Sequence, residues 1–163
     1  MNDLTELASL KGDLAKTLEK IDAIEQFYQE FKRDAVMLPV GKPYDLIILA
    51  DVLVDFYTCL ETGFVRISKF FENRLDPSRW HSHLIEKMTV DVEGVRPRLL
   101  GERTYTLLLE IMKFRHFKRY YFAVAYDRDR MNYLEKKFNE ALPLVRADLN
   151  AFVNILDRMA GET

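Results

Sequence analysis

Apolar residues recur every three or four positions along most of this chain, the spacing that gathers side chains on one face of an α-helix. In the first segment Leu7, Leu10, Leu14, Leu18, Ile21, Ile24, Phe27 and Phe31 form such a stripe, predicting an amphipathic helix over residues 4–31 that Gly12 weakens slightly. The stretch Met37-Leu-Pro-Val-Gly-Lys-Pro43 cannot extend it, because two prolines remove donors and restrict their predecessors, so a connector is expected there. A second stripe, Leu46, Leu49, Leu53, Phe56, Leu60, Phe64, Ile67 and Phe71, predicts a helix from Tyr44 to about Arg74. Its first half is apolar nearly all round, as suits a central helix.

Asp76-Pro-Ser supplies a cap and start for a short helix from Arg79 to about Met88, with Trp80, Leu84 and Met88 on one side. Gly94, Pro97 and Gly101 make residues 89–101 a loop. A fourth helix is predicted from Glu102 to Ala125, closed by the turn Tyr126-Asp-Arg-Asp-Arg130. Asp127 or Asp129 then caps a fifth, whose stripe is Met131, Leu134, Phe138, Leu142, Val145, Leu149, Phe152, Leu156 and Met159, with a kink expected at Pro143. No segment of useful length shows the two-residue period of a strand, and neither an internal repeat nor a low-complexity tract interrupts the pattern. The expected fold class is all-α, an up-and-down bundle of four long helices and one short one.

With 163 residues, 48% of them hydrophobic, the chain suits one domain with a substantial core, spanning residues 1–163. A formal charge of -2 excludes a globally basic nucleic-acid binder, so any attraction for phosphate has to be local. Cys59 is the sole cysteine, which rules out an intramolecular disulfide and a cysteine zinc cluster; with no signal-like N-terminus, a reducing cytoplasm is the expected location. The apolar run from Leu46 to Leu60 is too short to span a bilayer and carries Asp51 and Asp55, so no membrane association is expected. His81 and His83 lie two apart, on different helical faces, without further ligands at metal spacing; no metal and no cofactor are expected.

The local exception to the charge balance is Ile111-Met-Lys-Phe-Arg-His-Phe-Lys-Arg-Tyr-Tyr-Phe122, which packs four cations, a histidine and five aromatics without one acid. On a helix Arg115 and Arg119 share a face, as do His116 and Tyr120, while Phe114, Phe117 and Tyr121 turn toward another side. Two readings stand side by side. Structurally, this is a core helix whose Lys and Arg stems reach out to water. Functionally, Arg115 and Arg119 can hold a phosphodiester through paired hydrogen bonds, Lys118 adds attraction, and His116 can move protons near neutral pH. Asp51 and Asp55, one turn apart on the second helix, either meet Arg115 and Arg119 or lie on a solvated face. Metal-free cleavage of RNA needs a base for the ribose 2′-hydroxyl, a cation for the developing charge and an acid for the leaving group. One chain offers one histidine in this strip, and a symmetric dimer would double every group.

Arg115-His-Phe-Lys-Arg-Tyr-Tyr-Phe122, with Asp55-Phe-Tyr-Thr-Cys-Leu-Glu61, Trp80-His81, Leu84-Ile-Glu-Lys-Met88 and Gly94-Val-Arg-Pro97, resembles the HepT-like branch of the HEPN superfamily over roughly residues 44–160. The resemblance implies a helical bundle that dimerises about the motif helix. It also implies a metal-independent endoribonuclease toxin, encoded beside a small nucleotidyltransferase antitoxin that adds AMP to a tyrosine. The family motif is Arg, a polar residue, three further residues, then His, commonly with Tyr two places on. Arg115 and His116 match its start, whereas Tyr120 stands at the histidine position and Phe122 at the tyrosine position. Both departures touch chemistry, since a phenol holds its proton too firmly to be a good base at neutral pH and Phe122 has no hydroxyl.

The resemblance therefore leaves two functional classes. One is a ribonuclease toxin, with Arg115, His116 and Tyr120 as catalytic candidates, Lys118, Arg119 and Tyr121 binding RNA, and Asp51 and Asp55 in support. The other is a catalytically silent module that uses the same strip to bind RNA, a nucleotide or the nucleotidyltransferase. A plain helical scaffold is the third option.

Overall fold

The computed structural model describes residues 2–72, 80–120 and 125–161. Among the described residues five α-helices follow one another: α1 (Asn2–Asp34), α2 (Tyr44–Glu72), α3 (Trp80–Lys87), α4 (Glu102–Tyr120) and α5 (Arg128–Gly161). A 3-10 turn, Ala35–Met37, leads from α1 into the proline-containing connector, where Gly41 takes the positive φ that a side chain would strain. Among the described residues no strand forms, only an isolated bridge between Val92 and Arg96.

The long helices make an up-and-down bundle. Asp13 of α1 pairs with Arg66 of α2, and Lys11 and Asp22 of α1 pair with Asp157 and Arg146 of α5, so α1 runs antiparallel to both. Across the centre α2 and α5 lie parallel, with Phe56 edge-on to Phe138 at 5.0 Å and Phe71 to Phe152 at 6.2 Å. The α2 stripe is buried from Leu46 to Ile67 and half-buried at Phe71, as suits the central helix. Gly63 and Thr17 mark the close approach of α1 and α2, where Cys59 Sγ donates to the Thr17 carbonyl. Cys59 is a free, buried thiol, raised above its ordinary pKa by burial.

Several features of the pattern come out differently. Phe27 is 54% exposed and Tyr28 takes its place in the core, because the buried stripe steps four positions from Ile24 rather than three. The Tyr28 hydroxyl donates to Glu135 Oε1 at 2.7 Å and accepts from Asn139 at 2.9 Å, which makes burial of a phenol tolerable. Burial raises its pKa to about 12. Met159 is likewise exposed. At the other boundary, Ala125 is non-helical and α5 already begins at Arg128, inside the expected turn. Asp127 is the residue that caps α5, its Oδ1 accepting the Arg130 N–H at 2.8 Å. The helix runs on through Pro143. The expected cap at Asp76-Pro-Ser78 and the start at Arg79 lie outside the described residues.

The loop after α3 is a folded device. Gly94 has φ 70°, Val92 and Arg96 close a tight turn, and the turn delivers the Arg96 side chain into the interior with 1% exposure. Its guanidinium meets Glu72 at the end of α2, where Lys87 also pairs at 3.1 Å. Burial acts to raise the Glu72 pKa, but hydrogen bonds from Arg96 and Lys87 outweigh it and hold the carboxyl below its ordinary value of 4.5. A carboxyl depressed in the folded state contributes stability above its unfolded pKa and loses that contribution as pH falls through the folded value. Urea midpoints should therefore fall on acidification below pH 4.5, and Glu72→Gln should flatten that slope. An unchanged slope in the variant would assign the acid sensitivity to other carboxyls.

Candidate functional site

The described part of the basic strip, residues 111–120, occupies the last turns of α4, with Arg115 and Lys118 paired to α2. Phe114 is the anchor: it is buried, and its ring lies 6.1 Å from that of Tyr126, tying the C-terminal end of α4 to the segment before α5. Phe117, three residues on, is 42% exposed, so the aromatics of the strip do not all turn inward. Helical spacing then fixes the rest, because residues three and four apart stack along one side.

Arg115, His116, Arg119 and Tyr120 come together with Met112 around a cavity of about 30 Å³, room for a water-sized group. The His116 and Tyr120 rings are 4.8 Å apart and tilted by 53°. His116 and Tyr120 both face solvent, so each can reach a ligand on that side. Next to it, Val54, Thr58, Arg115, Lys118 and Arg119 line a groove of about 320 Å³ between α2 and α4. The two arginines border both spaces.

The carboxylates of α2 change the electrostatics. Arg115 Nη1 donates to Glu61 Oε2 at 2.7 Å, with side-chain exposures of 18% and 14%. The Arg115 guanidinium lies over the Tyr57 ring, 5.6 Å from its centroid, a cation–π contact in a largely desolvated spot. Burial, followed by the nearby Glu61 charge, pushes the Tyr57 phenol well above its ordinary range, so it stays protonated. Lys118 pairs with Asp51, whose side chain is 65% exposed. Asp51 thus meets the lysine of the strip and neither arginine, and Asp55 is exposed without an ion pair among the described residues. Arg119 also has no ion pair among the described residues. Two of the α4 cations, Arg115 and Lys118, are thus paired with α2 carboxylates, so the strip is less basic as a surface than as a sequence.

Tyr121 and Phe122 lie outside the described residues, as do the side chains of Trp80 and His81. His83 is exposed and lies 3.9 Å from Glu86, and among the described residues no three His, Cys, Asp or Glu side chains converge as a metal site requires. No helix among them is long and apolar enough to cross a membrane. Glu61 is the site residue that sequence reasoning left without a role. Its signal was available, since it interrupts the half-buried row Val54, Glu61 and Val65, which shares one face of α2.

No curated protein and no solved structure matches the chain. The family comparison is positive, beginning within α2, ending within α5 and enclosing the whole α4 strip. Matched over residues 48–156, well over half its length, the chain belongs to the family of HepT-like proteins.

Proposed function

We propose that this protein is the HepT-like member of a toxin–antitoxin module, a metal-independent endoribonuclease that holds RNA where the α4 strips of two protomers meet. The observation that carries the reading is the grouping of His116, Tyr120, Arg115 and Arg119 around one solvent-reachable cavity in a family-matched helix. In the reaction the ribose 2′-oxygen loses its proton to a base and attacks phosphorus. The bond from phosphorus to the 5′-oxygen breaks, and that oxygen takes a proton from an acid. The products are a 2′,3′-cyclic phosphate and a 5′-hydroxyl, with no net change in protons. His116 serves as base or acid, an arginine offsets the charge building on the phosphate, and Tyr120 hydrogen-bonds the reacting oxygens. A second copy of the strip supplies the second proton-transfer group. The whole assembly works in the cytoplasm, and a small nucleotidyltransferase is its antitoxin.

A second reading, a silent module that binds RNA or the nucleotidyltransferase, draws support from Tyr120 at the motif histidine position and from the carboxylates facing Arg115 and Lys118. Labelled RNA incubated with the purified chain, with and without chelator, separates the two. Cleavage that survives chelator and drops by about 100-fold or more in His116→Ala supports the enzyme. RNA binding without cleavage, together with normal growth of cells expressing the protein alone, supports the silent module.

A further inference from the structure

We infer that Glu61 sets the anion affinity of the site: it clamps Arg115 as a fixed wall and leaves Arg119 as the arginine that grips the phosphodiester. This rests on the reading that RNA occupies the α4 strip. Arg115 is committed three ways, by its 2.7 Å hydrogen bond to Glu61, by its low exposure and by the Tyr57 ring beneath it. For it to swing onto a phosphate, the Glu61 carboxylate would lose this cation in a poorly solvated position, a cost that an exposed pair does not carry. Arg119 sits one turn further along the same face and is exposed, with no ion pair among the described residues to give up. It also borders both spaces, the groove beside Val54 and Thr58 and the cavity beside His116 and Tyr120.

A phosphate held by Arg119 in the groove therefore lies next to the proton-transfer groups, with Arg115, held by Glu61, as one side of its container. Glu61 is a positioning residue in this scheme. It orients Arg115, and its negative charge subtracts from the attraction the groove exerts on any anion. The first residue of the family motif thus shapes the site, and a residue one turn later binds in it.

The test is binding of a labelled 2′-O-methyl RNA oligonucleotide, which cannot be cleaved, to the full chain between about 50 and 200 mM salt. Arg119→Ala should weaken binding about tenfold at low salt and flatten the log–log salt dependence by about 0.7, the share of one phosphate contact on a single strand. Arg119→Lys should restore the slope. Glu61→Gln should do the reverse, tightening binding and steepening the slope by about 0.7, because the Arg115 charge is no longer offset. A merely structural Glu61 could only weaken binding when replaced. If Glu61→Gln does not fold, Glu61→Asp, which keeps the charge but retracts it by one methylene, should bind more tightly than the parent. Wild-type-like binding by Arg119→Ala, or unchanged or weaker binding by a folded Glu61 variant, overturns the inference while RNA binding itself stands. Absence of binding by the parent protein at low salt overturns both.

Discussion

Replacing Arg96 with alanine is expected to lower the unfolding free energy by about 3–5 kcal/mol, a large share of the roughly 5–15 kcal/mol that holds a folded chain together. The reason lies in how many groups one guanidinium satisfies. Its Nε and Nη2 donate to Glu72 Oε1 at 3.2 and 2.8 Å, and Nη2 also reaches the carbonyl of Lys87, the last residue of α3, at 3.0 Å. Nη1 spans the Val90 and Pro97 carbonyls at 3.3 and 3.4 Å. Helix C-termini end in carbonyls without intrahelical donors, so Arg96 caps α3, closes the following loop and fixes both to the end of α2. Alanine removes every donor, leaves those part-buried carbonyls without their partner, and opens a hole where the side chain was. Lysine keeps the charge, but a compact ammonium cannot cover acceptors spread along a fork, so Arg96→Lys should recover only part of the loss. Urea titrations give the comparison, and an alanine variant within about 0.5 kcal/mol of the parent would show that the loop is held by something else.

Arg96 also shows where the sequence stops being readable. It lies in a glycine- and proline-marked loop, and nothing local says that a loop arginine is 1% exposed; its acceptors come from α2, α3 and the loop together. The helices themselves were legible because burial of one face imposes a 3.6-residue period that needs no knowledge of neighbours. The contiguous part of the site was legible for the same reason: Arg115, His116, Arg119 and Tyr120 lie within six residues on one helix, and their shared cavity follows from spacing alone. What α2 does to that strip was not. Asp51 was visible as a costly acid near an apolar run, yet its partner proved to be Lys118, because which cation an acid meets depends on the crossing of α2 and α4. The face that Glu61 occupies was legible, but its pairing with Arg115 was not, for the same reason. A charge strip read from sequence is thus an upper limit on the surface potential, because the packing of another helix can cancel it.

Phe138→Ala should cost about 3–5 kcal/mol, while Phe27→Ala, the same truncation on an exposed face, should stay within about 0.5 kcal/mol. Phe138 is fully buried on α5 and stands edge-on to Tyr28 of α1 at 5.1 Å and to Phe56 of α2 at 5.0 Å. One ring therefore joins three helices, and each edge-to-face pair adds about 0.5–1.5 kcal/mol beyond the area it buries. Alanine leaves a cavity that three helices would have to close at once, and they are already fixed to each other elsewhere by the Asp13–Arg66 and Asp22–Arg146 pairs. Phe138→Leu fills most of that space and removes only the ring geometry, so it should fall between the parent and alanine. The pairing of Phe138 with Phe27 as a control tests the rotation of α1. If α1 instead turned Phe27 inward, Phe27→Ala would carry a cavity cost and Tyr28→Ala would not. Large effects at Phe138 and Tyr28 with a negligible one at Phe27 are compatible with only one of these rotations, the one that seats the Tyr28 hydroxyl between Glu135 and Asn139.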